Sequence, residues 1–418
     1  MHMADSKKNR VVITGVGAIT PLGITAENNW QAIINNKIGY KHIDNTDWNI
    51  SVSFLGYIDN NLDMSFLPPS IYRRLPRYAQ LIMCATNNAL IQAFEKGNPF
   101  PFYNPLDCGV ILGSGWGGID QTYEEANIYS KSRFASPFTC FMSMNSIATA
   151  ACSQFWGLKG YQNTVSAACA TGAIAIGDAY ELIRNGRMKM MIAGAGESFK
   201  TNFSIWSVDV LGALSKEKND ISKASCPFSA ERSGFVPSEG AAILILEELD
   251  SARKRGATIL GEITGYGNFS DAYDITAPSH DGFSRIAAIE CAMKRASISP
   301  SSIDYINAHG TSTYLNDRIE TLVYKKVFGD YVYNIPISST KGHTGHLIAA
   351  AGAFETILCL FSIRDNIIPA TLNLNVKDRE CDLDFVANKP REHAVDRALS
   401  VSFGFGGSNA ALAIERFR

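Results

Sequence analysis

An apolar, β-branched run that breaks into glycine recurs along this chain and constrains its fold more than any other feature. "RVVITGVGAITPLG" (10–23) opens with such a run and turns at Gly15 and Gly17. "CGVILGSGWGG" (108–118), "KMMIAGAGES" (189–198) and "GAAILILEEL" (240–249) have the same form. Helical patterns lie between them, as at 79–95 and 171–185. Buried strands alternating with helices predict an α/β protein whose sheet is covered on both faces. In the second half, "GEITGYG" (261–267) echoes "VVITGVG" (11–17). "SIDYINAHG" (302–310), "NIPISST" (334–340) and "ALSVSFGFGG" (398–407) read as further strands ending in polar or glycine turns. The echo points to an internal duplication, with its joint in the charged "LDSARKRGA" (249–257).

Size agrees with that reading. A chain of 418 residues is too long for one small core and suits two domains or one large duplicated unit. The expected division is a first half over 10–255 and a second over 256–418, with residues 1–9 set aside as a disordered tail or cloning remnant. The formal charge of −2 gives no reason to expect nucleic acid or an anionic membrane as partner. No apolar run is long enough to span a bilayer, and the polar start lacks the apolar core of a signal peptide. The nine cysteines are odd in number and contain no C-x-x-C pair, so a disulfide framework or a zinc site is not expected. They suit small buried thiols in a reducing cytoplasm.

One thiol has a distinctive setting. Cys169, in "TVSAACATGAIAIGDAYELIRNG" (164–186), follows a short strand and precedes a helix whose first turns are Ala, Thr and Gly. The start of a buried helix offers free N–H groups and a positive dipole end, which favour a thiolate. The small neighbours leave room for a substrate. The residues therefore allow two readings: a nucleophile that accepts an acyl group, or a packing residue at a tight joint.

Two histidines sit in turns rich in Gly, Ser and Thr. "NAHGTST" (307–313) carries His309, and "SSTKGHTGHLIAAAGAFE" (338–355) carries Lys341, His343 and His346. Neutral imidazoles can donate to a developing oxyanion. His343 and His346 are three apart, but no third ligand accompanies them, so a metal site is not expected. "VSFGFGGSN" (401–409) alternates glycine with Phe403 and Phe405, a turn that can bring backbone N–H groups close to a ligand. As a dinucleotide fingerprint it fails, because only a final strand follows it.

Taken in order, "TVSAACATGA", "NAHGTST", "SSTKGHTGH" and "SFGFGGSN" resemble the β-ketoacyl-ACP synthases of the elongating, KAS II type, as do "RVVITGVGAITPLG" and "CPFSAERSGFVPSEGAAILILEE". The resemblance runs from about residue 10 to 416. It implies the thiolase fold, an α/β architecture of five αβαβα layers with two pseudo-symmetric halves, in two-fold dimers. It implies decarboxylating condensation of an acyl thioester on Cys169 with malonyl-ACP, in fatty acid or polyketide and polyene elongation, with no metal or redox cofactor. The substrates are carried on the phosphopantetheine of acyl carrier protein.

By the same resemblance, His309 and His346 promote loss of CO2 and hold the enolate. Lys341 is ordered by Glu320, and the N–H groups of Cys169 and Phe405 form the oxyanion hole. Thr311 and Thr313 contact the pantetheine arm. Phe403 and Phe405 bound the substrate, with Phe405 as the gate. Arg74, Arg77 and Arg133 match basic positions that meet the acidic carrier.

Three departures stand out. Trp116 occupies a position at the far end of the acyl tunnel where relatives carry a smaller aliphatic residue. This predicts a shortened or redirected acyl pocket, unless the indole turns into the dimer interface. Tyr314 replaces a usual proline. Phe134 and Gly212 stand where relatives often carry basic residues. Three other readings stay open. One is a specialised heterodimer with a chain-length-factor homologue, and another is a non-catalytic length-setting or scaffold subunit. The third is a CoA-dependent thiolase or hydrolase, although the C-terminal turn lacks the second cysteine of thiolases.

Overall fold

The computed structural model describes residues 8–44, 48–58, 62–100 and 102–418. Ten strands form one mixed sheet. The first five are β1 (Val11–Ile19), β2 (Cys108–Gly113), β3 (Gln162–Val165), β4 (Met190–Glu197) and β5 (Gly240–Glu248). The second five are β6 (Gly261–Ser270), β7 (Tyr305–Asn307), β8 (Ile337–Ser338), β9 (Arg397–Gly404) and β10 (Ser408–Glu415). Their order across the sheet is β8-β7-β9-β10-β6-β1-β5-β4-β2-β3.

Read outward from the centre, the halves are the same. β1 runs antiparallel to β5 and β5 to β4, then β4–β2 and β2–β3 are parallel. β6 runs antiparallel to β10 and β10 to β9, then β9–β7 and β7–β8 are parallel. The halves join where Val11, Val12 and Ile13 pair with Ile263, Glu262 and Gly261.

The echoed "ITG" motifs have the same structural job in each half. The β1–β5 register skips Thr14, and the β6–β10 register skips Thr264. Each skip is a bulge that bends the strand under a covering helix. Those helices are α1 (Arg77–Ala93) and α6 (Phe283–Ala296). A Cβ at Gly15 or Gly17 would run into the carbonyl oxygens of Ala89 or Ala85, and one at Gly265 or Gly267 into those of Ala292 or Ala288. The glycines are there because helix backbone lies directly on the strand.

Between α1 and α6 in the chain come α2 (Ile119–Ser132), α3 (Ile147–Trp156), α4 (Thr171–Arg184) and α5 (Asn202–Asp209), and after them α7 (Tyr314–Phe328) and α8 (Ala351–Asp365). α4 and α8 pack on each other and on strands of both halves, so they form the middle layer of five. Every residue of α8 from Ala351 to Ile363 is buried, as a helix apolar on all sides must be. The tail expected over 1–9 lies outside the described residues up to residue 7. Asn9, however, belongs to the fold: its N–H donates to the Arg184 carbonyl at 3.0 Å.

Candidate active site

The starts of α4 and α8 are equivalent, and the site is built on them. Each follows one tight helical turn, Ala168–Ala170 before α4 and Ile348–Ala350 before α8. Each turn is entered through a left-handed residue, Ala168 at φ 46° and Ile348 at φ 47°. A β-branched residue in that region is costly and persists only where the surroundings enforce it.

In the first turn the strain presents Cys169, which is 4 % exposed at the wall of a cavity of about 460 Å³. In the second it turns the Ile348 N–H onto His346 Nδ1, at 3.2 Å. An Nδ1 that accepts leaves the proton of a neutral imidazole on Nε2. His346 Nε2 lies 3.1 Å from Cys169 Sγ, so His346 donates to the sulfur. Burial, reinforced by Lys341, holds the imidazole well below its usual pKa and keeps it neutral.

His309 completes the cluster from the end of β7. Its ring centroid is 5.4 Å from that of His346 and 5.8 Å from that of Phe403. One donor atom from each of Cys169, His309 and His346 lies within 4.8 Å of the others. These are the donors that a metal would find here, although the His346 nitrogen already serves the sulfur. Burial, with Lys341, His346 and Arg285 nearby, also holds His309 well below its usual pKa.

The thiol corrects one expectation. A helix start was expected to lower the Cys169 pKa, but burial pushes it up to about 12. Lys341 and the Phe405 N–H, which faces the sulfur, act in the other direction. Gly404 permits that N–H to approach, since a Cβ there would crowd Ala167 O and the Cys169 N–H.

A second correction concerns Lys341. Its ammonium pairs with Glu355 of α8, not with Glu320. Glu320 instead accepts the backbone N–H groups of His309 at 2.7 Å and Gly310 at 2.8 Å, with Tyr324 and Asn316 on its remaining lone pairs. It therefore positions the His309 turn. Burial pushes the Glu355 carboxyl up to about 7 against the pull of Lys341.

Thr311 and Thr313 lie on the cavity wall with their hydroxyls 2.9 Å apart, and Phe403 and Phe405 line it as well. Tyr314, at the start of α7, is at the mouth and donates to Glu380 at 2.7 Å. Trp116 is not on that wall. It packs edge-on to Phe199, centroids 5.2 Å apart, in the apolar cluster that also holds Cys169, Ile205 and Val208. Its turn is set by Glu197, which accepts from the Ser114 hydroxyl at 2.8 Å and the Gly115 N–H at 2.7 Å. Burial pushes the Glu197 carboxyl up to about 7.

Among the basic positions, Arg74 and Arg133 are exposed. Arg77 is not a surface group: it is buried, with its guanidinium on Glu239 at 3.1 Å and on the Ile58 carbonyl at 2.9 Å. A cation so enclosed holds two segments together and cannot meet a carrier. His343 also stands apart, buried between the Lys37 and Ala370 carbonyls.

Sequence reasoning missed Glu355, Ile348 and Glu197. Glu355 had a signal, as the one charged residue within 351–363 of an otherwise apolar helix. Ile348 had none, because a left-handed backbone at isoleucine is not written in composition.

The fold and this Cys–His–His cluster define a thiolase-fold enzyme of the acyl-transferring, carbon–carbon bond-forming class. Residues 8–252 match the family "Beta-ketoacyl synthase, N-terminal domain", and 260–375 match "Beta-ketoacyl synthase, C-terminal domain". The chain is 40% identical to the 3-oxoacyl-[acyl-carrier-protein] synthase 2 of Synechocystis sp. over the whole of both chains. It is 39% identical to that of Coxiella burnetii over 98% of this chain and 99% of that one. Among solved structures, a β-ketoacyl synthase from Burkholderia phymatum superposes with a TM-score of 0.89 at 30% identity, covering 98% of this chain and 100% of that one. A type II PKS ketosynthase bound to a hexaketide, in complex with its acyl-carrier protein, gives 0.90 at 31%, with the same coverage. The chain belongs to the β-ketoacyl synthase family.

Proposed function

We propose that this protein condenses an acyl group carried on Cys169 with malonyl-ACP, releasing CO2 and giving β-ketoacyl-ACP. The observation that carries the reading is the pair of donors aimed at one sulfur: His346 Nε2–H at 3.1 Å and the Phe405 N–H. In the first half-reaction Cys169 attacks the thioester carbonyl of an acyl-ACP. The proton lost by Cys169 ends on the departing carrier thiol. Negative charge on the carbonyl oxygen is met by the Cys169 and Phe405 N–H groups. In the second, His309 and His346 donate to the malonyl thioester carbonyl. The bond to the carboxylate breaks, CO2 leaves, and its electron pair forms the enolate. The enolate carbon attacks the acyl carbonyl, and Cys169 leaves and regains a proton. Loss of CO2 supplies the carbanion, so the chemistry calls for no redox cofactor.

Finer features follow from neighbouring groups. Trp116, Phe199, Ile205 and Val208 fill the apolar side of Cys169, which supports a short or redirected acyl chain. The exposed Arg74 and Arg133 support docking of an acidic carrier. The exposed residues Gln162 and Asn163 of edge strand β3 support pairing with a second ketosynthase-like chain. One solved relative, 25% identical with a TM-score of 0.82, is a ketosynthase in complex with its chain length factor, which keeps a heterodimer beside the homodimer as the partner choice. The reading places the protein in the cytoplasm. Among the described residues no helix is long and apolar enough to cross a membrane.

The test is intact-protein and peptide mass spectrometry after incubation with an acyl-ACP, then with malonyl-ACP. The acyl mass is expected on Cys169, followed by CO2 and β-ketoacyl-ACP. An unmodified Cys169 with no CO2 release would reject the reading.

A further inference from the structure

α6 buries a stripe of Arg285, Ala288, Ile289, Ala292 and Met293. An arginine in such a stripe needs a reason. Its Cζ sits 4.3 Å from the centroid of Phe403, the ring that also faces His309. Arg285 is 5 % exposed and lines the 460 Å³ cavity. One guanidinium nitrogen donates to the neutral Asn316 amide oxygen at 3.0 Å, and its Nε is buried without a partner. Among the described residues it forms no ion pair.

The other buried cations of this region have carboxylate partners. Arg232 pairs with Asp378 at 2.5 Å, and Lys341 pairs with Glu355. The carboxylates around Arg285 are already engaged. Glu320 is held by His309, Gly310, Asn316 and Tyr324, Asp271 takes Asn409 and Ser279, and Asp317 takes the Phe228 N–H. A buried guanidinium without a carboxylate partner is costly. Its planar fork matches the bidentate geometry of a carboxylate or a phosphate.

We infer that Arg285 is a specificity-determining residue that receives the free carboxylate of the malonyl unit beside His309. The inference rests on the condensing function proposed above. In that reaction both donors bring the phosphodiester of the carrier arm, but only the malonyl unit adds an anion, its free carboxylate, at the reacting end. The contact exists before the carbon–carbon bond breaks and fades as the carboxylate becomes neutral CO2. Arg285 therefore strengthens malonyl binding without lowering the barrier to cleavage. It selects the dicarboxylic extender over an uncharged thioester.

Two experiments test this. In Arg285→Gln the KM for malonyl-ACP is expected to rise at least ~tenfold, the scale of a lost charged hydrogen bond. kcat should not fall in parallel, and the KM for the acyl donor in Cys169 labelling should rise less than ~threefold by the same reasoning. Arg285→Lys should recover part of the malonyl KM. An unchanged malonyl KM, or an equal loss in both half-reactions, overturns the inference. The second experiment uses the unaltered enzyme and does not depend on how the variant folds. Malonyl-pantetheine amide, which cannot acylate Cys169, competes against its methyl ester. The free acid should inhibit at a concentration at least ~tenfold lower, and equal potency overturns the inference. If the unaltered enzyme condenses normally while these results fail, only the role of Arg285 falls. If it neither labels Cys169 nor releases CO2, the function reading falls first.

Discussion

The turns before α4 and α8 share a backbone and differ in what they carry. Ala168 and Ile348 have φ within a degree of each other, and Cys169 and Ala349 occupy equivalent places. In the first half the strained turn exposes a sulfur to the cavity. In the second it delivers an N–H to His346 Nδ1 and so fixes which nitrogen faces that sulfur. One duplicated geometry thus makes the nucleophile on one side and sets the tautomer of its partner on the other. Local strain is retained in both copies, but chemistry was written into each separately.

Moving the thiol is the harshest way to break this comparison. Cys169→Ala should lower condensation by ~10⁴-fold or more, as loss of a covalent nucleophile does. Adding Ala349→Cys should not restore it, because the Phe405 N–H serves only the first turn. Acyl labelling of the double variant measures this.

Next in size, His346→Ala should slow malonyl-ACP decarboxylation by ~10²–10³, the usual cost of one oxyanion donor. In the unaltered enzyme the acid limb of that rate should lie below pH ~6.5, the ordinary imidazole value. The His346 and His309 pKa values are lowered, so both rings stay neutral as the pH falls through that point. A limb centred at or above it would show that His346 is exposed or tautomerically free.

A smaller effect concerns Glu197, which orders the turn next to Cys169. Burial pushes its carboxyl from the ordinary glutamate range up to about 7 in the folded state. The folded state therefore holds its proton more tightly than the unfolded chain. Stability from this group is full below the unfolded value and is lost as pH rises toward and through about 7. Denaturant titrations should show Glu197→Gln gaining on the unaltered protein across that window, by on the order of 3 kcal/mol at most. Parallel curves would place the carboxylate in a more polar setting than its burial implies.

The smallest expected change is at Ala168→Gly. Relief of a left-handed alanine gains about 1–2 kcal/mol, and the added freedom of the unfolded chain takes back about 0.5–1. Melting should show a net change between zero and about 1.5 kcal/mol, in the stabilising direction. A clear loss would mean that the turn is not strained there and that the likeness to Ile348 is only apparent.

Much of the architecture was legible because it is periodic. The "ITG" echo predicted two copies, and Thr14 and Thr264 form the same bulge in each. Cys169 and His309 were legible because each follows a strand among small residues that leave space, and His346 because its Gly- and Thr-rich turn does the same. Glu320 was misassigned and Arg77 misplaced for a common reason. A charged side chain in sequence shows that a partner is needed, not which one lies within reach. The partner of Lys341 turned out to be fourteen positions further along the chain, in the first turns of α8, and Arg77 was enclosed by Glu239, just ahead of β5.

By itself the amino-acid order determined the strand–helix rhythm, its repetition and the residues able to do acyl chemistry. These follow from side-chain periodicity and backbone sterics, which act over a few residues. Only the tertiary structure decided which carboxylate meets Lys341, which nitrogen of His346 carries its proton, and that Arg285 is buried at the cavity wall with no ion pair among the described residues. Those outcomes depend on burial and on contacts between segments up to hundreds of residues apart, where the loss of water makes each charge and each proton depend on the groups packed around it.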